Sequence, residues 1–156
     1  MSMQAYDKQT ASQIIVSYDA RPEMLIQILN AFIDRFGWIT EDAMRQLADE
    51  LNLSRAEVHG VVSYYHDFRT SPPGRHVVKV CQAESCQAMG SRELSAHVEK
   101  KLGINMHGSN DEITLEPVYC LGNCACSPAI MVDGKTYGRV TVELFDQIAA
   151  SMREHS

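Results

Sequence analysis

A chain of 156 residues with 45% apolar and 22% charged residues has the make-up of an ordinary globular protein, long enough to bury a core without covalent staples. Its net charge of −6 lacks the basic footprint of a nucleic-acid binder, and no apolar run approaches the roughly 18 residues a membrane span needs. Met1 to Gln13 show no basic-then-apolar export pattern, so the expected compartment is the cytoplasm, where thiols stay reduced.

Residues 1–20 are mostly polar, lack a sustained period and read as an N-terminal arm. From Pro22 to Phe36 the pattern turns helical: Met24, Leu25, Ile28, Leu29, Phe32, Ile33 and Phe36 share one stripe. Pro22 suits the first turn of that helix and Gly37 its end. A second helix runs from a Thr40 cap through Glu41 and Asp42 to Leu51. A third begins at the capping box Ser54-Arg55-Ala56-Glu57, with Val58, Val61, Val62 and Tyr65 as its apolar face. Residues 21–70 thus read as a three-helix unit in which the aromatics, Trp38 included, pack rather than react. His59 and His66 stand seven apart, whereas metal ligands on one helix usually sit four apart, so both read as structural or interfacial.

Residues 71–74, Ser-Pro-Pro-Gly, are a linker, and the rhythm changes after it. A strand, Arg75 to Val80, ends at Cys81. A helix follows from about Ser91 to Leu102, closed by Gly103, with Leu94, Val98 and Leu102 inward and His97 at the surface. Residues 104–112 are a polar loop, and a strand over 113–119 ends at Cys120. Ala129 to Val132, the Asp133-Gly134 turn and Lys135 to Val140 read as a hairpin. Thr141 caps a last helix with Val142, Phe145, Ile148, Ala149 and Met152 on one face. The fold class is α+β: a three-helix unit followed, over 75–156, by a β-α-β-β-α domain with a mixed sheet.

Chemistry concentrates in two cysteine loops, Cys81-Gln82-Ala83-Glu84-Ser85-Cys86 and Cys120-Leu121-Gly122-Asn123-Cys124, each leaving a predicted strand end. Two such loops can bring four thiols together where open sheets usually hold ligands. Five cysteines cannot all pair within one chain, a disulfide network needs an oxidising compartment, and neither loop has the Cys-x-x-Cys spacing of a dithiol redox centre. Four inert buried thiols, one zinc ion and an iron–sulfur cluster are the remaining readings. The loop widths and the substantial surrounding core favour a [2Fe–2S] cluster over zinc, with Cys81 and Cys86 on one iron and Cys120 and Cys124 on the other. Such a site is anionic and needs inward-pointing N–H donors, which Gly122 and Gly90 would allow. Glu84 inside the first loop either disfavours reduction or is a solvated carboxylate. Cys126 reads as a packing residue beside the site, and Pro128 leaves the isomer of its peptide bond open.

These residues resemble the thioredoxin-like [2Fe–2S] ferredoxins, in particular the roughly 24-kDa subunit of NADH:quinone oxidoreductase and its relatives, in which four cysteines hold the cluster. The resemblance spans the helical unit, both cysteine loops, Pro128, Met131-Val132-Asp133-Gly134 and Tyr137-Gly138-Arg139-Val140-Thr141. It implies a thioredoxin-like fold for the second half and Cys81, Cys86, Cys120 and Cys124 as cluster ligands. Val80 to Gly90 most resemble the gamma subunit of NAD-dependent, molybdenum-containing formate dehydrogenases. That likeness implies an electron-transfer subunit with no substrate turnover of its own. Its partners would be a flavin- and NAD-binding subunit carrying FMN and a large catalytic subunit carrying the molybdenum cofactor, with further iron–sulfur clusters on those subunits.

Overall fold

The computed structural model describes residues 5–154. The chain divides after Pro72 into two compact units.

Among the described residues the first unit holds four α-helices where the sequence pattern shows three. Residues 8–17, expected as part of a polar arm, form α1 (Lys8–Ser17), N-capped by Asp7, whose carboxylate accepts from the Thr10 N–H at 2.8 Å. Only Ala11 and Ile15 on α1 are buried, one side chain per turn, which is too thin a stripe to register as a period. The first four residues of the expected arm lie outside the described residues.

A 3₁₀ turn at Pro22–Met24 leads into α2 (Leu25–Phe36), which ends on Gly37 at φ 83°. That left-handed conformation is one only glycine adopts freely. Thr40 caps α3 (Glu41–Leu51). Both arms of the Ser54–Glu57 capping box are present at the start of α4 (Arg55–Tyr64). Phe32, Ile15, Ile28, Leu47, Leu51 and Val58 are fully buried in one core, each contributing about 1.5–3 kcal/mol through burial. Tyr65, expected on the buried face of the third predicted helix, lies just past the end of α4 and is exposed.

The second unit runs β1 (His76–Cys81), α5 (Glu84–Ala88), α6 (Ser91–Leu102), β2 (Ile113–Val118), β3 (Ile130–Val132), β4 (Lys135–Tyr137) and α7 (Val142–Glu154). The sheet order is β2-β1-β3-β4. β1 is parallel to β2, with Cys81 opposite Val118, and antiparallel to β3. Val78, Val80, Leu115, Ile130 and Val132 share a core with Leu94 and Val98 of α6 and Phe145, Ile148 and Met152 of α7. Val142, expected on that face, is 37% exposed: it is the first residue of α7, before the helix has turned onto the sheet.

Two local devices set the frame. Asp133 and Gly134, at φ 50° and 82°, make the β3–β4 turn. The Asp133 carboxylate reaches the Val77 N–H at 2.8 Å and His76 Nδ1 at 2.7 Å, so the hairpin tip is pinned to the start of β1. His97 is half-buried rather than simply on the surface; its Nε2 meets Asp146 Oδ1 at 2.8 Å and ties α6 to α7.

Candidate metal centre

Parallel pairing of β1 with β2 places both strand ends on the same edge of the sheet, and each ends in a cysteine loop. Cys81 is the last residue of β1, and its N–H donates to the Ala129 carbonyl at 3.1 Å. Cys86 lies on α5, the short helix that fills the first loop. Both are 2% exposed, and their thiols hydrogen-bond to each other. Cys120 follows β2 by two residues and stands at φ 140°. Its Sγ is 3.7 Å from that of Cys124, and both residues are exposed.

Backbone N–H groups converge on these sulfurs. Gly122, at φ 70°, donates to Cys120 Sγ at 3.3 Å. Ala83 and Leu121 donate to Cys81, so an amide of the second loop serves a thiol of the first. Ala129 donates to Cys86. Burial pushes the Cys81 thiol up, and the neighbouring Cys86 adds to this, against the pull of the two amides. Burial also acts upward on Cys86, but its hydrogen bonds with Ser127 and Cys81 and the one from the Ala129 amide outweigh it and its pKa is lowered. The Cys124 thiol is raised by its contact with Cys120 and by the charge there. Burial, neighbouring thiols and the donors aimed at the sulfurs thus set these shifts in different proportions.

Gly90 does not take the role expected of it. Its N–H donates to the Gln87 carbonyl at 3.2 Å, and at φ 91° it joins α5 to α6. Glu84 is exposed in the first turn of α5. Cys126 is half-buried; its N–H donates to the Asn123 carbonyl at 2.9 Å and its own carbonyl takes the Arg139 N–H at 2.6 Å, closing the second loop onto the segment after β4. The Ser127–Pro128 bond is cis. Two residues that spacing did not mark also belong to the site: the Ser85 and Ser127 hydroxyls lie 2.8 Å apart and connect the loops. Their contact crosses 42 positions of sequence, and no local pattern announces such a contact.

Among the described residues, no three cysteine, histidine or carboxylate side chains are gathered as a one-ion site; the thiols stand as two pairs. A [2Fe–2S] cluster takes two thiolates on each iron, and this donor set fits it: two pairs, one from each loop, with amides directed at the sulfurs. Among the described residues no helix is long and apolar enough to cross a membrane.

A mixed four-stranded sheet with two helices packed on it and paired thiols at the ends of its parallel strands defines a thioredoxin-like redox or metal-holding domain. A family model described as thioredoxin-like [2Fe–2S] ferredoxin matches residues 11–153, and the chain belongs to that family. It is 32% identical over 130 residues to the E-type subunit of NADH-quinone oxidoreductase from Buchnera aphidicola subsp. Baizongia pistaciae, covering 82% of this chain and 76% of that protein. It is 32% identical over 125 residues to the protein of the same name from Escherichia coli K12, covering 79% and 75%. In fold it is similar to a chain of an NAD+-reducing [NiFe]-hydrogenase, with a TM-score of 0.74 at 19% identity over 85% of this chain. The match spans 23% of that longer hydrogenase chain.

Proposed function

We propose that this chain is a single-electron carrier holding one [2Fe–2S] cluster through Cys81, Cys86, Cys120 and Cys124. It would serve as the electron-transfer subunit of an NAD(H)-linked oxidoreductase complex. The observation that carries the reading is the delivery of two thiol pairs from the ends of two adjacent parallel strands, with Cys120 and Cys124 Sγ atoms 3.7 Å apart. Pairing of this kind supports two irons over one zinc ion, which would need all four sulfurs around a single point. When bound, the cluster supplies one-electron chemistry. The chain's own part is to hold four thiolates in two pairs, to aim amide N–H groups at them and to keep one pair buried.

NADH gives up two electrons as a hydride, so a flavin must stand between it and a one-electron carrier. That requirement, and the names of the relatives, support a partner subunit that binds NAD(H) and FMN. Within this class we read the complex as an NAD-dependent formate dehydrogenase converting formate and NAD+ to CO2 and NADH, with a large molybdenum-containing subunit doing the substrate chemistry. The resemblance of Val80 to Gly90 supports that reading. The equivalent subunit of NADH:quinone oxidoreductase or of an NAD-reducing hydrogenase is the alternative that the relatives and the fold favour.

The test begins with the chain reconstituted with iron and sulfide. Visible absorption, equal iron and sulfide counts and a paramagnetic signal on one-electron reduction are expected. Cys120→Ser or Cys124→Ser loses or strongly alters the cluster, whereas Cys126→Ser keeps it. A colourless zinc-loaded chain would overturn the carrier reading. Co-purification from native extract then separates the complexes: formate-dependent NAD+ reduction supports the formate assignment, and quinone reduction or hydrogen uptake in its place rejects it.

A further inference from the structure

Ser127 sits between the two thiol pairs and is only 8% exposed. Its Oγ lies 3.5 Å from Cys86 Sγ in the first loop, 2.8 Å from the Cys124 carbonyl oxygen in the second and 2.8 Å from Ser85 Oγ. Ser85 Oγ in turn lies 3.2 Å from that same Cys124 carbonyl. Two hydroxyls therefore face two acceptors, a sulfur and a carbonyl, and either hydroxyl reaches the carbonyl.

A hydroxyl has one proton to donate, which restricts the possible patterns. While Cys86 is a thiol, its S–H donates to Ser127 Oγ and the Ser127 proton goes to the Cys124 carbonyl. A sulfur that binds a metal does so as thiolate and can only accept. We propose, resting on the cluster reading above, that in the loaded chain Ser127 turns its proton to Cys86 Sγ while Ser85 takes over the Cys124 carbonyl. The Ser85–Ser127 pair is then a positioning device that tunes the reduction potential through one cluster ligand. Loading breaks the Cys86 S–H bond and releases its proton to solvent; the hydroxyl exchange that accompanies it makes and breaks no further covalent bond. Two O–H groups rotate about their Cβ–Oγ bonds, two donors serve two acceptors, and the carbonyl keeps the Ser127 N–H at 3.3 Å in either state. A hydrogen bond donated to a ligand sulfur favours the more negative, reduced state, because bonds to charged groups strengthen with charge.

A bridge that merely held the loops together would leave the potential alone, so the potential is the deciding readout. The full-length chain is reconstituted with iron and sulfide as wild type, Ser127→Ala, Ser127→Thr and Ser85→Ala, and each is titrated by visible spectroscopy. Ser127→Ala is expected to keep the visible spectrum while its equilibrium constant for one-electron reduction falls roughly tenfold, about 59 mV more negative. Ser127→Thr, which keeps the hydroxyl, stays near wild type. Ser85→Ala falls part of the way, because the carbonyl then holds the Ser127 proton for more of the time. A wild-type potential in Ser127→Ala, or a Ser127→Thr value as low as that of Ser127→Ala, overturns the proposal. Should Ser127→Ala fail to hold the cluster, Ser85→Ala decides: a lowered potential supports the device and an unchanged one rejects it. A wild-type chain that takes up no iron rejects the cluster reading itself, and this inference with it.

Discussion

Gly138 shows how tightly the second cysteine loop is held. A Cβ there would lie 2.6 Å from Cys126 Cβ, 2.7 Å from Asn123 Nδ2 and 2.9 Å from the Cys126 carbonyl oxygen. Two of these atoms belong to or adjoin the main chain of the turn that carries Cys124, so there is little flexible tip to yield. Gly138→Ala is therefore expected to push that turn aside and lower the iron retained per chain, read as absorbance lost on gel filtration. Gly122→Ala is the contrast. A Cβ there meets nothing within 4 Å, and the cost comes from φ 70° alone, about 1–2 kcal/mol for a residue with a side chain in the left-handed region. Its iron loss should be the smaller of the two. Equal retention in Gly138→Ala and wild type would show that the loop tolerates displacement.

The elements divide by how loudly their residues speak. α2, α3, α6 and α7 were legible because a cap or a terminal glycine coincides with an apolar stripe, and α4, which like α1 buries only two residues, because of its capping box: Thr40 accepts from Ala43, Ser54 pairs with Glu57, and Gly37 and Gly103 end their helices. α5 was not, being five residues inside a loop with no side-chain cap. α1 was not, because it buries only Ala11 and Ile15 and its other contacts are polar and remote. Gln46 of α3 accepts from the Tyr6 hydroxyl and donates to the Lys8 carbonyl at 3.0 Å. The cysteine pairs announced the site because sulfur spacing is local, whereas Ser127 entered it only through the fold. Those remote contacts predict a pH signature. The Tyr6 hydroxyl is pushed up to about 12 by burial and then by the charges of Asp42, Glu50 and Asp7. The folded pKa is raised, so the contribution is whole below about pH 10, where an unfolded tyrosine titrates, and is lost as pH climbs through about 12. The thermal midpoint should fall more steeply above about pH 10 in wild type than in Tyr6→Phe. Parallel curves would mean the hydroxyl contributes nothing. The α6–α7 tie has the opposite sign. The hydrogen bond from His97, and then Lys101, holds Asp146 below the ordinary carboxylate value of 3.8. Its contribution is present above that value and is lost as pH falls below it. Asp146→Asn should accordingly flatten the acid limb of the melting curve, and an unchanged limb would remove the tie from the account.

At the scale of the whole molecule the two units differ in what they carry. The buried core of the first comprises residues between Ala11 and Phe68, and that of the second residues between Val78 and Met152. All five cysteines lie in the second. On the cluster reading, a unit with its own core and all the thiols would need nothing from the first in order to fold and to hold the cluster. The first unit brings helices and exposed aromatics, with Tyr64 75% exposed and Tyr65 beside it, residue types enriched where protein partners meet. A carrier must also be kept close to its electron donor, and on the function proposed above the first unit is the surface we propose for binding the flavin subunit. The cut that tests this is set by Gly74. Its N–H donates to Thr114 Oγ1 at 2.7 Å, and a Cβ on it would meet the Ile113 nitrogen at 2.5 Å, so the shortened chain must begin no later than Pro73. That chain is expected to take up iron and sulfide with the visible spectrum of the full-length protein and to fail to co-purify with the flavin subunit. Retention of the complex would move the partner surface onto the cluster-bearing unit. Loss of the spectrum would mean that the helical unit supports the cysteine loops and is not only a means of attachment.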